Sequence, residues 1–189
     1  MLKSKRRRWM PPRYAERVEI ADSSQFNAAE MDSWIAYGSV LTLLPAALDA
    51  ELQRVAGLSH FEYQVLSMLA ELPDRTMRMS NLASFANSSL SRLSHSATRL
   101  ESRGFMTRTP DPTDGRFTLA TLSDQGWCKV TSATPQYVAV VRSLVFESLT
   151  KQQTVQLGEV GRRIMRAIEP GHECMGPAQW MSQSAPAEA

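Results

Sequence analysis

The 189-residue chain has only two cysteines and three histidines, and these shortages narrow its chemistry at the outset. Cys128 and Cys174 lie far apart, one in a stretch of helical pattern and one in a loose C-terminal segment, which gives neither a disulfide framework nor metal-ligand spacing. Both read as reduced thiols. No Ser/His/Asp constellation, working carboxylate pair, metal-spaced His/Cys set or glycine-rich phosphate loop is present, so no catalytic residue, metal or cofactor is expected. Cys128 reads as an ordinary helix residue and His60 as a first-turn residue. Apolar runs are also short: none approaches the roughly 20 consecutive residues of a membrane span. The start, Met1-Leu2-Lys3-Ser4-Lys5-Arg6-Arg7-Arg8-Trp9, is basic but leads into Pro11-Pro12 instead of an apolar segment, so a secretory signal is excluded and cytoplasmic residence is expected.

Net charge is small, +2, yet it is unevenly spread. From Phe26 to Leu72 the acids Glu30, Asp32, Asp49, Glu51, Glu62 and Glu71 face only Arg54. From Arg75 to Arg116 the balance reverses and lysine is missing: every cation (Arg75, Arg78, Arg92, Arg99, Arg103, Arg108, Arg116) is arginine, against Glu101, Asp111 and Asp114. The planar guanidinium fork suits phosphates and guanine edges, whereas a surface that only needs solvation would use lysine as freely.

Residues 1–25 and 170–189 are polar tails by composition. Between them the pattern is mostly helical. Trp34, Tyr37, Leu41, Leu44, Leu48, Leu52 and Val55 recur at spacings of three and four from about Met31, with Pro45 predicting a kink and Gly57 a stop. Ser59-His60-Phe61-Glu62 has capping-box form and opens a second helix that runs to about Leu72. Met79 to Ala86 reads as a short third helix, Asn87-Ser88-Ser89 as turn and cap, and a fourth helix runs to Arg103 with Gly104 as its stop. Phe105–Thr109 and Arg116–Leu122, rich in Thr and aromatics, flank Pro110-Asp111-Pro112-Thr113-Asp114-Gly115 and predict a hairpin. Ser123 caps a fifth helix with an apolar face interrupted at Pro135, and Thr150-Lys151-Gln152-Gln153 opens a sixth.

Two short helices joined by a brief turn and followed by a hairpin give the order of a winged helix-turn-helix lobe. The expected fold is mainly α with a small β-hairpin wing, plus a helical association region. The fourth helix is two-faced: Leu90, Leu93, Ala97 and Leu100 form a packing stripe, and the other face presents Ser91, Arg92, Ser94, His95, Thr98 and Arg99. Short hydroxyls, a histidine and arginines reach base edges and phosphates without filling a groove. Ser88 and Ser89 stand at the helix N-terminus, where free N–H groups favour phosphate. Ser91, Arg92 and His95 are the base-reading candidates, Ser94 is marginal, and Arg99 suits the backbone. Arg116 is placed to enter a minor groove, with Asp114 to orient it. Double-stranded DNA is thus the expected partner.

The region from Trp34 to Ile168 resembles the MarR family of bacterial transcription regulators. The resemblance rests on Leu58-Ser59-His60-Phe61-Glu62-Tyr63-Gln64-Val65-Leu66, on the run from Leu93 to Phe105 containing Arg99-Leu100-Glu101 and Gly104, and on Asp114-Gly115-Arg116 leading to Leu122-Ser123-Asp124-Gln125-Gly126. It implies a MarR-like domain over 26–169, with a DNA-binding lobe at about 58–122 and dimerisation helices at about 30–56 and 124–169. It further implies a homodimer on a palindromic operator, a nucleoid-associated repressor released by a small aromatic effector. Val141, Leu144, Val145 and Ile164 belong to the apolar faces that such a dimer would bury, and Trp34, Tyr37, Phe61 and Tyr63 are candidates for the effector pocket. His95 stands where many members place arginine. The thiol of the hydroperoxide-sensing branch has no counterpart between Phe26 and Tyr37. The alternative is a winged-helix adaptor that binds protein and reads no DNA; the arginine-only charge and the small polar face count against it.

Overall fold

The computed structural model describes residues 25–168; the expected tails, the basic N-terminal run and Cys174 lie outside that range, Gln25 excepted. The chain divides into two units, residues 1–41 and 42–189.

In the first unit, Asn27 and Glu30 open α1 (Ala28–Ala56) by a reciprocal cap: the Glu30 N–H donates to Asn27 Oδ1 at 2.9 Å, and the Asn27 N–H donates to Glu30 Oε2 at 2.9 Å. That pair starts the helix three residues before the expected Met31. Here α1 leaves Trp34, Ile35, Val40 and Leu41 exposed. An 18-residue window of α1 has a mean hydropathy of 1.3, so by length and composition the helix is long enough to cross a membrane. It holds no unbroken apolar run of that length, because Asp32, Ser33, Ser39 and Thr42 interrupt it.

In the second unit the helix passes through Pro45 without interruption and buries Leu48, Leu52 and Ala56. Gly57, at φ +60, ends it in the left-handed conformation that a side chain would strain. Ser59 then caps α2 (His60–Ala70): the Glu62 N–H donates to Ser59 Oγ at 3.0 Å and the Ser59 N–H donates to Glu62 Oε2 at 3.0 Å. α3 (Met79–Phe85) and α4 (Leu90–Ser102) follow, joined by a turn in which Asn87 takes φ +45. Leu52, Leu58, Val65, Leu66, Leu69, Leu82, Leu93 and Leu100 are fully buried in one core. Each such side chain contributes on the order of 1.5–3 kcal/mol through apolar burial.

The hairpin is β2 (Met106–Pro110) with β3 (Thr118–Leu122), in register Met106↔Leu122 and Thr109↔Leu119. The sequence pattern missed a third strand: β1 (Thr76–Arg78) pairs antiparallel with β3, giving the order β1-β3-β2. Ser123 caps α5 (Asp124–Val141) by accepting the Gly126 N–H at 3.0 Å, and a Cβ on Gly126 would collide with the Phe105 carbonyl. α5 stays helical through Pro135. One lost donor leaves the rest of an 18-residue ladder intact, and α5 runs on into a π-helical turn at Arg142–Phe146. α6 (Lys151–Ile168) opens with the Thr150–Gln153 capping box and buries no residue. Cys128 is an exposed residue of α5.

Candidate DNA interface

The sequence of α4 sets its orientation. Leu93, Ser96, Ala97 and Leu100 are buried, so the opposite face presents Ser91, His95 and Thr98, with Ser94 half-buried beside them. Leu90, expected on the packing stripe, is instead 51% exposed at the first turn, and Ser96 takes a place in the interior. Ser89 accepts the Arg92 N–H at 3.2 Å and fixes the helix start; the Ser88 hydroxyl donates to the Ser89 carbonyl at 3.3 Å.

The two arginines of α4 lie on the flank turned toward α2, and both are held there. The Arg92 guanidinium sits 4.5 Å over the Phe61 ring. Arg99 donates from Nε to Glu62 Oε1 at 2.9 Å and from Nη2 to Ser96 Oγ at 3.2 Å. Arg103 adds a second cation 3.7 Å from Glu62 Oε2 and donates to the Gly57 carbonyl at 2.7 Å. Burial pushes the Glu62 carboxyl upward, but the Ser59 N–H, the Arg99 hydrogen bond and the two guanidinium charges outweigh it and hold the group below its ordinary value. Between α2 and α4 lies a cleft of about 540 Å³, lined by Asp49, Ser59 and Phe61 on one side and Ser89, Ser91, Arg92, His95, Ser96 and Arg99 on the other.

The wing is braced from below. Arg78 on β1 donates to Asp111 Oδ2 at 2.7 Å and stacks over Phe117 at 4.5 Å. Thr113 donates to Asp111 Oδ1 from its hydroxyl at 2.6 Å and its N–H at 2.8 Å. These Thr113 hydrogen bonds, joined by that from Arg78 and opposed by burial, lower the Asp111 carboxyl to about 2. At the tip, Asp114 accepts from Arg116 in a two-pronged pair, Nε to Oδ1 at 2.9 Å and Nη2 to Oδ2 at 2.7 Å, and the Arg116 side chain is 85% exposed. Sequence reasoning missed Arg108. It reaches from β2 to Glu101 at 2.5 Å and Thr98 at 3.0 Å, tying the wing to the exposed face of α4. Its only signal was a place in an arginine-rich run.

Of the effector-pocket candidates, Trp34 and Tyr37 are exposed in the first unit, while Phe61 and Tyr63 are buried in the second. Tyr63 stacks on Tyr137 with centroids 4.4 Å apart and donates to Thr134 Oγ1 at 3.2 Å. Of the dimer-face candidates, Leu144 is exposed and Val141, Val145 and Ile164 are half-buried. No group of three or more potential metal-ligating side chains occurs among the described residues.

The sequence pattern of the MarR family matches residues 58–118, the span from the start of α2 to β3. No curated protein matches the chain. Among solved structures, the chain is similar to Sco3205, a MarR family transcriptional regulator from Streptomyces coelicolor crystallised with DNA. The two share 40% identity with a TM-score of 0.72 over 77% of this chain and 91% of that one. It is also similar to AbsC, a MarR family transcriptional regulator from the same organism, at 29% identity and a TM-score of 0.70, over 77% and 98% of the two chains. Sco5413, a third regulator from that organism, shares the fold at 20% identity and a TM-score of 0.66, over 78% and 100%. With 40% identity spread across nine-tenths of a MarR regulator, and the winged helix-turn-helix in place, the chain belongs to the MarR family of transcriptional regulators.

Proposed function

We propose that the protein is a sequence-specific DNA-binding repressor that acts as a homodimer on a palindromic operator. The observation that carries this reading is the exposed face of α4, where Ser91 and His95 lie exposed between tethered arginines and Thr98 is exposed beside the Arg108 tether, next to a wing whose Arg116 projects into solvent. Hydroxyls and an imidazole match base-edge donors and acceptors in the major groove, and an arginine on a narrow wing suits the minor groove. The DNA complex of Sco3205 supports the same reading by similarity.

The lobe from about 58 to 122 holds these groups, and the helices at about 30–56 and 124–169 supply the dimer. Val155, Val160, Leu144 and Phe146 are exposed in the single chain, as a surface awaiting a second copy would be. A symmetric dimer sets its two α4 helices into successive major grooves, so half-sites fall about one helical turn apart. Release by a small aromatic acid completes the reading. The cleft beside α4 offers the Phe61 ring with Arg92, His95 and Arg99, and a carboxylate held there would compete with phosphate for the same cations.

The test is selection of duplexes from a random pool by the purified full-length protein. Enrichment of a palindrome with half-sites one turn apart supports the reading; no enrichment, with binding to a protein partner instead, replaces it with the adaptor.

A further inference from the structure

We infer that Glu62, a residue of α2 outside the exposed face of α4, is a positioning residue for DNA: together with Ser96 it holds Arg99 as a preformed phosphate clamp. The inference rests on the DNA-binding reading and deepens it. Arg99 carries five N–H donors, of which Nε goes to Glu62 and one of Nη2 to Ser96, so the outer edge of the fork stays available while the side chain remains 58% exposed. Its anchor is rigid. The Glu62 side chain is 6% exposed, and the same carboxylate takes the Ser59 N–H of the helix cap and faces Arg103. Ser96 is buried, which is unusual for a serine in the middle of a helix whose hydroxyl serves a side chain three residues on. A loose arginine gives up its rotamer freedom when it meets a phosphate; Arg99 has given it up on folding, so contact costs less.

A purely Coulombic view predicts the opposite sign. A carboxylate 2.9 Å from Arg99 repels phosphate, and neutralising it should tighten binding to DNA. Positioning predicts that neutralising it weakens binding.

The experiment measures binding of the full-length parent and of Glu62→Gln, Ser96→Ala, Arg99→Ala and the Glu62→Gln/Arg99→Ala double variant. The probes are a duplex enriched from the random pool and an unselected duplex. Glu62→Gln is expected to raise Kd about tenfold on both, the loss of a charge-assisted hydrogen bond. It should add nothing in the Arg99→Ala background. Ser96→Ala changes no charge and little volume, and is expected to raise Kd by about threefold. Tighter or unchanged binding by Glu62→Gln overturns the inference, as does a loss that persists undiminished without Arg99. Should Glu62→Gln melt below the assay temperature, unchanged affinity in Ser96→Ala overturns it alone. A parent that binds neither duplex removes the DNA-binding reading itself, an outcome distinct from a parent that binds and a Glu62 variant that does not differ.

Discussion

Replacing Arg116 with alanine isolates the wing from the helix. The side chain is almost free of the protein, paired with Asp114 at the surface, where solvent screens such a pair, so the variant should fold as the parent does. Its effect belongs to DNA. Each neutralised phosphate contributes about 0.9 to the slope of log affinity against log salt, so a dimer that loses one contact per protomer loses about 1.8. Between 50 and 200 mM salt, a fourfold change, that slope difference shrinks the penalty of the substitution about twelvefold. The loss is therefore largest at low salt and should be concentrated on duplexes with A·T-rich flanks, where the minor groove is narrow. Fluorescence anisotropy across a salt series, with a thermal melt as control, reads both quantities. An unchanged slope with a lowered melting temperature would refute the reasoning, because Arg116 would then be a structural residue and not a contact.

Three other outcomes are expected. Leu93→Ala removes a fully buried side chain of α4 and should cost about 2–5 kcal/mol in a urea titration, whereas Leu90→Ala on the same helix, half exposed, should stay within about 0.5 kcal/mol. Asp111 titrates at about 2 in the folded chain against an ordinary 3.8, and Glu62 is also held below its ordinary 4.5. Their stabilising effects are present above those ordinary values and fade as pH falls toward the folded ones, so melting temperature should drop below about pH 4 and drop less steeply in Asp111→Asn. Sedimentation at micromolar concentration should show a dimer that Leu144→Asp weakens; a stable monomer for the parent would contradict the paired-helix reading.

The elements that were readable in advance are those fixed by neighbours in sequence. Ser59 and Glu62 form the cap that their spacing predicts, Gly57 and Gly104 stop their helices at positive φ, and Asp114 meets Arg116 two residues away. What could not be read depends on partners far along the chain. β1 is three residues long, too short for a periodic signal, and exists because Thr76 and Arg78 find Thr121 and Leu119 on β3. Leu90 fits the apolar stripe by spacing, yet it sits at the first turn, where α4 projects from the core. Glu62 was readable as a cap but not as the anchor of Arg99, which is 37 residues away, and Arg99 looked free because its two partners lie on its hidden side. Pro45 and Pro135 both lie inside continuous helices, where the rest of the hydrogen-bond ladder persists around the one donor each lacks.

If the exposed face of α4 reads base sequence, His95, exposed in the middle of that face, should carry much of the discrimination. The decisive quantity is the ratio of Kd for an unselected duplex to Kd for the enriched palindrome, at fixed salt, for the parent and His95→Ala. The parent ratio should be about 10³ or more. In the variant that ratio should fall about 5- to 150-fold, equivalent to about 1–3 kcal/mol, with affinity for unselected DNA nearly unchanged. A parent ratio near one, or the same ratio in both proteins, would contradict base reading by this face.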